Sequence, residues 1–198
     1  MKDLDEAIRL NPKDAEAYLE RGGAYLDQGR YYDALDDLNE GLGLDPRNAE
    51  AYVLRGDAYR GLGHHEKAIG EYDEAVSLAP DFAEAYNSRG KACLSLGRHQ
   101  RAIDDFNEAI RLDPQSADAH NNLGLVHINL DEPLKAIESL TEAIMLDPEL
   151  AAAYANRALA YASLDIGEKA EPDVEKAVEL GIDRASLEQA VERAGGQR

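Results

Sequence analysis

The chain has 198 residues, with 21 Lys and Arg against 40 Asp and Glu and a net charge of −19. That acidic excess argues against nucleic acid, whose phosphates require clustered Lys and Arg, and against docking on an anionic membrane. Its single cysteine, Cys93, cannot build an internal disulfide framework, no apolar run approaches the roughly 18 residues of a membrane span, and the first residues lack a signal-peptide pattern, so a soluble, cytoplasmic protein is expected.

A strict period organises the chain. Pro12, Pro46, Pro80, Pro114 and Pro148 stand 34 residues apart, as do Ala34, Ala68, Ala102, Ala136 and Ala170. Gly22, Gly56, Gly90 and Gly124 keep the same spacing, with Ala158 next in line. Units repeating at this length stack side by side, which predicts one elongated solenoid rather than a set of globular domains.

Taken in order, residues 1–14 match the second half of a repeat, since Leu4, Ala7, Ile8 and Leu10 before Pro12 correspond to Phe106, Ala109, Ile110 and Leu112 before Pro114. The chain therefore opens half-way through a unit, as expected either of a shortened piece of a longer protein, the favoured reading, or of a protein that begins with a lone second helix. Five full repeats are expected over 15–48, 49–82, 83–116, 117–150 and 151–184, followed by a tail at 185–198. Numbering each unit from 1, apolar or small residues fall at positions 4, 8 and 11, then at 20, 24, 27, 28 and 30. Spacings of three and four define two helical faces. A polar or glycine-bearing turn separates them, and an Asp-Pro pair commonly stops the second helix.

Glycine at position 8 and alanine at position 20 leave room where two helix axes approach, beside aromatic residues at 4, 11 and 24. Asp183 is placed to cap a final helix over about 184–194, with Leu187, Ala190, Val191 and Ala194 on one face. Pro172 falls inside the second helix of repeat five, where it predicts a kink or a late start near Glu171.

Tyr86, Gly90, Ala102, Phe106, Ala109 and Pro114 of the third unit, repeated with variation in the other four, resemble the tetratricopeptide repeat. The resemblance implies an all-α fold, a right-handed α-solenoid of antiparallel helix pairs. It also implies a non-catalytic protein-protein interaction scaffold rather than a named partner. Departures from the family pattern are Arg at position 7 in four repeats, Cys93 and His127 in the second aromatic slot, and Gly41 in place of alanine.

The position-7 arginines change together with position 23. Arg21, Arg55, Arg89 and Arg157 coincide with Asp37, Glu71, Asp105 and Asp173, whereas repeat four has Leu123 and Ser139. A partly buried ion pair joining the two helices of each hairpin accounts for this; the alternative is a pair of surface residues copied by duplication.

The resemblance places positions 2, 5, 6, 9, 12 and 13 on a concave groove. The residues expected to contact a peptide there are Glu16, Leu19, Glu20, Asp27, Glu50, Val53, Leu54, Asp57, Asn87, Lys91, Asn121, Asn122, Leu125 and Asn156. They run from acidic to apolar with asparagines, which predicts a protein or peptide ligand, extended or helical, with Lys or Arg at one end and apolar anchors at the other. A solvated groove without a dedicated ligand is the plainer alternative. Family members that clamp acidic chaperone C-terminal tails carry Lys, Asn and Arg at defined groove positions. Here position 2 is Glu or Asp in four repeats, so such a tail would be repelled.

No catalytic set is legible. His64, His65 and His99 fall in or beside turns, and His120 and His127 replace aromatics two helical turns apart, unlike the one-turn pair of a zinc helix. No cofactor or metal is implied. The chain reads as a scaffold, with two rivals: a substrate-recruiting arm of a larger enzyme, or a module that self-associates through residues 1–14.

Overall fold

In the computed structural model residues 1–196 are described, and they form twelve α-helices with no strand. Two compact units divide the chain, Met1–Arg98 and a second that begins at His99. The first holds α1 (Lys2–Leu10), α2 (Ala15–Asp27), α3 (Tyr31–Leu44), α4 (Ala49–Gly61), α5 (His65–Leu78) and α6 (Ala83–Ser95). The second holds α7 (His99–Leu112), α8 (Ala117–Asn129), α9 (Pro133–Leu146), α10 (Ala151–Ser163), α11 (Gly167–Glu179) and α12 (Arg184–Gly195). Gln197 and Arg198, the end of the expected tail, lie outside the described residues. Among the described residues no helix is long and apolar enough to cross a membrane.

Local chemistry sets the helix ends. Asp14, Asn48, Ser116 and Asp183 each accept a hydrogen bond from the backbone N–H three residues on, at 3.2, 3.0, 3.3 and 2.9 Å. Each thereby satisfies one of the donors that the first helical turn leaves unpaired. Position 15 of every repeat lies in the left-handed region, at φ 68°, 78° and 69° for Gly29, Gly63 and Gly97 and 56° and 59° for Asp131 and Asp165. In the four repeats whose two helices share a unit, this residue ends the first helix and lets a three-residue link return the chain along it.

The close approach expected at position 8 is present. A Cβ added to Gly56 would lie 2.5 Å from Tyr72 Cε1, and one on Gly124 would lie 2.5 Å from Leu140 Cγ. Position 8 thus meets position 24. Repeat five has alanine at position 8, Ala158, and the smaller Val174 at position 24; both belong to one buried cluster.

The pairing inferred from positions 7 and 23 joins the two helices of three hairpins. Arg21 Nε and Nη2 donate to the two carboxylate oxygens of Asp37 at 2.7 Å each, and Arg157 does the same to Asp173 at 2.7 and 2.8 Å. Arg55 reaches Glu71 at 2.7 Å. In repeat three the partners fall in different units, Arg89 in the first and Asp105 in the second.

A third member of this arrangement has no signature in the sequence. Arginine Nη1 donates backward to position 25 of the preceding repeat, at 2.8 Å to Asp5 and Asn39, 2.7 Å to Asp73 and 3.2 Å to Thr141, for Arg21, Arg55, Arg89 and Arg157 respectively. Tyrosines at position 4, and in repeats one and five also at position 11, lie 5.3–6.0 Å from the guanidinium carbon. In repeats one, two and five one side chain therefore pins three helices, two of its own repeat and one of the repeat before. Its donors are satisfied where it is partly desolvated, at 14–19 % side-chain exposure.

Within the first unit α2 touches α4 and α4 touches α6, whereas α3 and α5 do not meet; within the second, α8 touches α10 and α10 touches α12. First helices of successive repeats thus form a continuous inner wall in each unit. The capping helix α12 contacts both α10 and α11.

Of the two outcomes expected at Pro172, the late start does not occur: α11 starts at Gly167, four residues before Glu171, with Pro172 inside it. Proline removes only one intrahelical donor, while Ala170, Asp173, Val174 and Ala177 of the same helix are buried and Asp173 is held by Arg157. Tertiary packing outweighs the single missing bond.

Candidate functional site

The inner wall of the first unit carries a cleft of about 600 Å³ between α2 and α4. Glu16, Glu20 and Asp27 from α2 and Glu50 and Asp57 from α4 ring an apolar floor of Leu19, Gly23, Leu26 and Leu54. Helical spacing explains the set, since these residues recur at one to four positions along one side of each helix. Glu16, Glu20, Asp27 and Glu50 are exposed, whereas Asp57 is half-buried.

Among the described residues Arg60 is the only cation lining the cleft, and it is already engaged. Its Nη2 and Nε donate to Asp57 Oδ1 at 3.0 and 3.3 Å. The same oxygen accepts from the Tyr72 hydroxyl at 2.8 Å. Burial first, and the Asp57 charge second, push the Tyr72 phenol far above its ordinary range, so it remains a donor. Five carboxylates against one paired guanidinium leave the cleft strongly negative, with apolar surface beneath.

Gly23, Leu26, Arg60 and Gly61 line the cleft from expected groove positions 9, 12 and 13, and Tyr31 from α3, at position 17, joins Gly61 from outside those positions. These last two are coupled, because a Cβ at Gly61 would run into the Tyr31 ring. Their residue types do not repeat: position 17 is elsewhere His65, His99, Pro133 and Gly167, and position 13 is Asp27, Ser95, Asn129 and Ser163.

Other expected residues are placed differently. Val53 is 1 % exposed and belongs to the core of its unit. Asn87 and Lys91 are half-buried on α6. In the second unit Asn121 is buried, and its Oδ1 accepts from Asn156 Nδ2 at 3.0 Å, tying α8 to α10. That bond uses one acceptor and one donor that an extended peptide would otherwise meet. Asn122 and Leu125 are half-buried on α8. Toward the end of this wall a cleft of about 580 Å³ is lined by Ile128, Asn129, Leu159 and Ser163, and by Ala190, Arg193 and Ala194 of α12.

The family model described as tetratricopeptide repeat matches residues 2–49, 24–81, 53–117 and 97–148. Among solved structures, one of MamA is 31 % identical over 87 % of this chain and 94 % of its own, with a TM-score of 0.70. That of pilF from Pseudomonas aeruginosa is 22 % identical, covering 93 % of this chain and 85 % of its own at a TM-score of 0.83. That of YrrB, described as a TPR protein with an unusual peptide-binding site, is 22 % identical over 94 % of this chain and 96 % of its own at a TM-score of 0.69. No curated protein matches the chain.

Proposed function

This chain belongs to the tetratricopeptide repeat family, and on that premise we propose that it is a non-catalytic scaffold whose first unit holds a segment of another protein against α2 and α4. The segment, extended or helical, carries an apolar side chain flanked by Lys or Arg. The observation that carries this reading is the cleft itself, where five carboxylates border the apolar floor of Leu19, Leu26 and Leu54. An apolar anchor on that floor removes surface from water, and flanking cations meet the carboxylates without desolvating them fully. Acidic segments are excluded by like-charge repulsion.

The inner face of the second unit contributes apolar contacts around Leu125, Ile128 and Leu159. Because Asn121 and Asn156 spend one bond on each other, a peptide backbone there meets fewer free amide groups than four asparagines would offer.

Selection from a random peptide display library on the purified chain tests the reading. Enriched sequences are expected to place Lys or Arg within about four residues on either side of a Leu, Ile, Met or aromatic residue, the span of one helical turn. Enrichment of acidic sequences, or of apolar ones without any cation, would overturn it.

A further inference from the structure

The geometry points to a second recognition site, on repeat four, that takes the arginine side chain of a partner protein. Arginine at position 7 fills an interhelical slot in repeats one, two and five and is present in repeat three as well, and in repeat four that arginine is missing. Leu123 stands in its place and Ser139 replaces the acid at position 23. The slot is not closed by this exchange. A cleft of about 340 Å³ remains, lined by His120, Leu123, His127, Glu138, Ser139 and Glu142.

What lines it accepts hydrogen bonds and carries negative charge. His127 is 9 % exposed, and its Nδ1 lies 2.8 Å from Glu132 Oε2. Hydrogen bonds from Lys135 and then from His127 hold the Glu132 carboxyl below the usual carboxylate range, so it is ionised and only accepts. The His127 Nδ1–H donates to that carboxylate, which leaves Nε2 as the other ring nitrogen of a residue that lines the cleft. That atom has no partner among the described residues, yet it is not one of the nitrogens sealed from solvent. The Ser139 hydroxyl, Glu138 and Glu142 supply the acceptors. Lys135, the one cation on the rim, is tied to Glu132 at 2.9 Å.

Two further equivalences favour a guanidinium over another cation. The tyrosines that stand beside the arginine at positions 4 and 11 are here the imidazoles of His120 and His127, flat rings that also stack on a guanidinium plane. Position 25 of the preceding repeat is Asn107, the residue type that accepts from Arg55 Nη1 two slots earlier, as Asn39. At 3.6 residues per turn His120, Leu123 and His127 lie roughly opposite Asn121, Leu125 and Ile128 on α8. The site is therefore on the other side of that helix from the inner wall and stands independently of the peptide reading above.

Arginine amide titrated into the ¹⁵N- and methyl-labelled full chain, with citrulline amide as the uncharged isostere, tests this. Arginine amide is expected to give saturable shifts of His127 Nε2 and the Leu123 methyls at about millimolar concentration, the strength open to a ligand of this size. Citrulline amide should give none. Leu123→Arg combined with Ser139→Asp refills the slot and should abolish the response at position 127. Absence of saturable shifts in the wild-type chain, equal shifts with citrulline amide, or shifts confined to the acidic cleft of the first unit would each overturn the proposal.

Discussion

Replacing Asp173 by alanine is expected to destabilise the chain by about 3–5 kcal/mol, more than any other single side-chain deletion on the surface between α10 and α11. Asp173 is 4 % exposed and receives both Nε and Nη2 of Arg157. Without it the guanidinium stays between Tyr154 and Tyr161 with only Thr141 Oγ1, at 3.2 Å, to accept from it. Loss of one carboxylate from a chain of net charge −19 relieves some general repulsion, but that long-range gain is screened and small beside an unpaired buried cation.

Repeat four, with Leu123 and Ser139, shows that the fold accepts the loss of both partners together. Arg157→Leu with Asp173→Ser should therefore cost no more than about 2 kcal/mol, well below the single change. Urea denaturation of the two singles and the double gives the coupling directly. Additive costs would mean that the pair does not join the helices.

The second large effect is steric. Gly124→Ala is expected to cost about 1–3 kcal/mol even though alanine is intrinsically the better helix former, because the new Cβ would sit 2.5 Å from Leu140 Cγ. Leu140 is fully buried and cannot swing clear. Adding Leu140→Val should recover part of the loss, since this recreates the Ala158 and Val174 combination of repeat five. Thermal unfolding of the single and double variants checks it. A single variant as stable as the wild type, or a double variant weaker than the sum of its parts, would contradict the account of why position 8 is glycine.

Periodicity made most of the fold legible. One 34-residue pattern contains the helix faces, the turn and the close approach at once, so each repeat corroborates the next. The ion pair between positions 7 and 23 was readable because both members change in repeat four. Its third member was not, since position 25 varies through Asp5, Asn39, Asp73 and Thr141, which share only the ability to accept a hydrogen bond.

The cleft was partly readable for a similar reason. Its carboxylates, like Gly61 at position 13, follow from the inner positions of α2 and α4, but Tyr31 comes from α3 and its fit against Gly61 at a single interface leaves no periodic trace. Helical spacing gives the side of a helix, not the depth of a residue within it. Hence Val53 and Asn121 fall on the expected side and are nonetheless buried, one by its apolar neighbours and one by Asn156 in the following repeat. The late start expected at Pro172 failed in the opposite direction, because a local breaker was weighed without the buried face and ion pair that hold α11.

The acidic cleft is the centre of the functional account, and charge reversal tests it most directly. Binding of a Lys- or Arg-flanked leucine peptide would be measured for the wild-type chain and for Glu16→Lys, Glu20→Lys, Asp27→Lys combined, at low and at physiological salt, with circular dichroism confirming that α2 is retained. All three residues are exposed, so the exchange leaves the core alone. The wild type should bind at least about tenfold more tightly than the reversed chain at low salt, and that advantage should shrink as salt rises. Equal affinity of the two chains, at either salt, would contradict a partner held through these carboxylates.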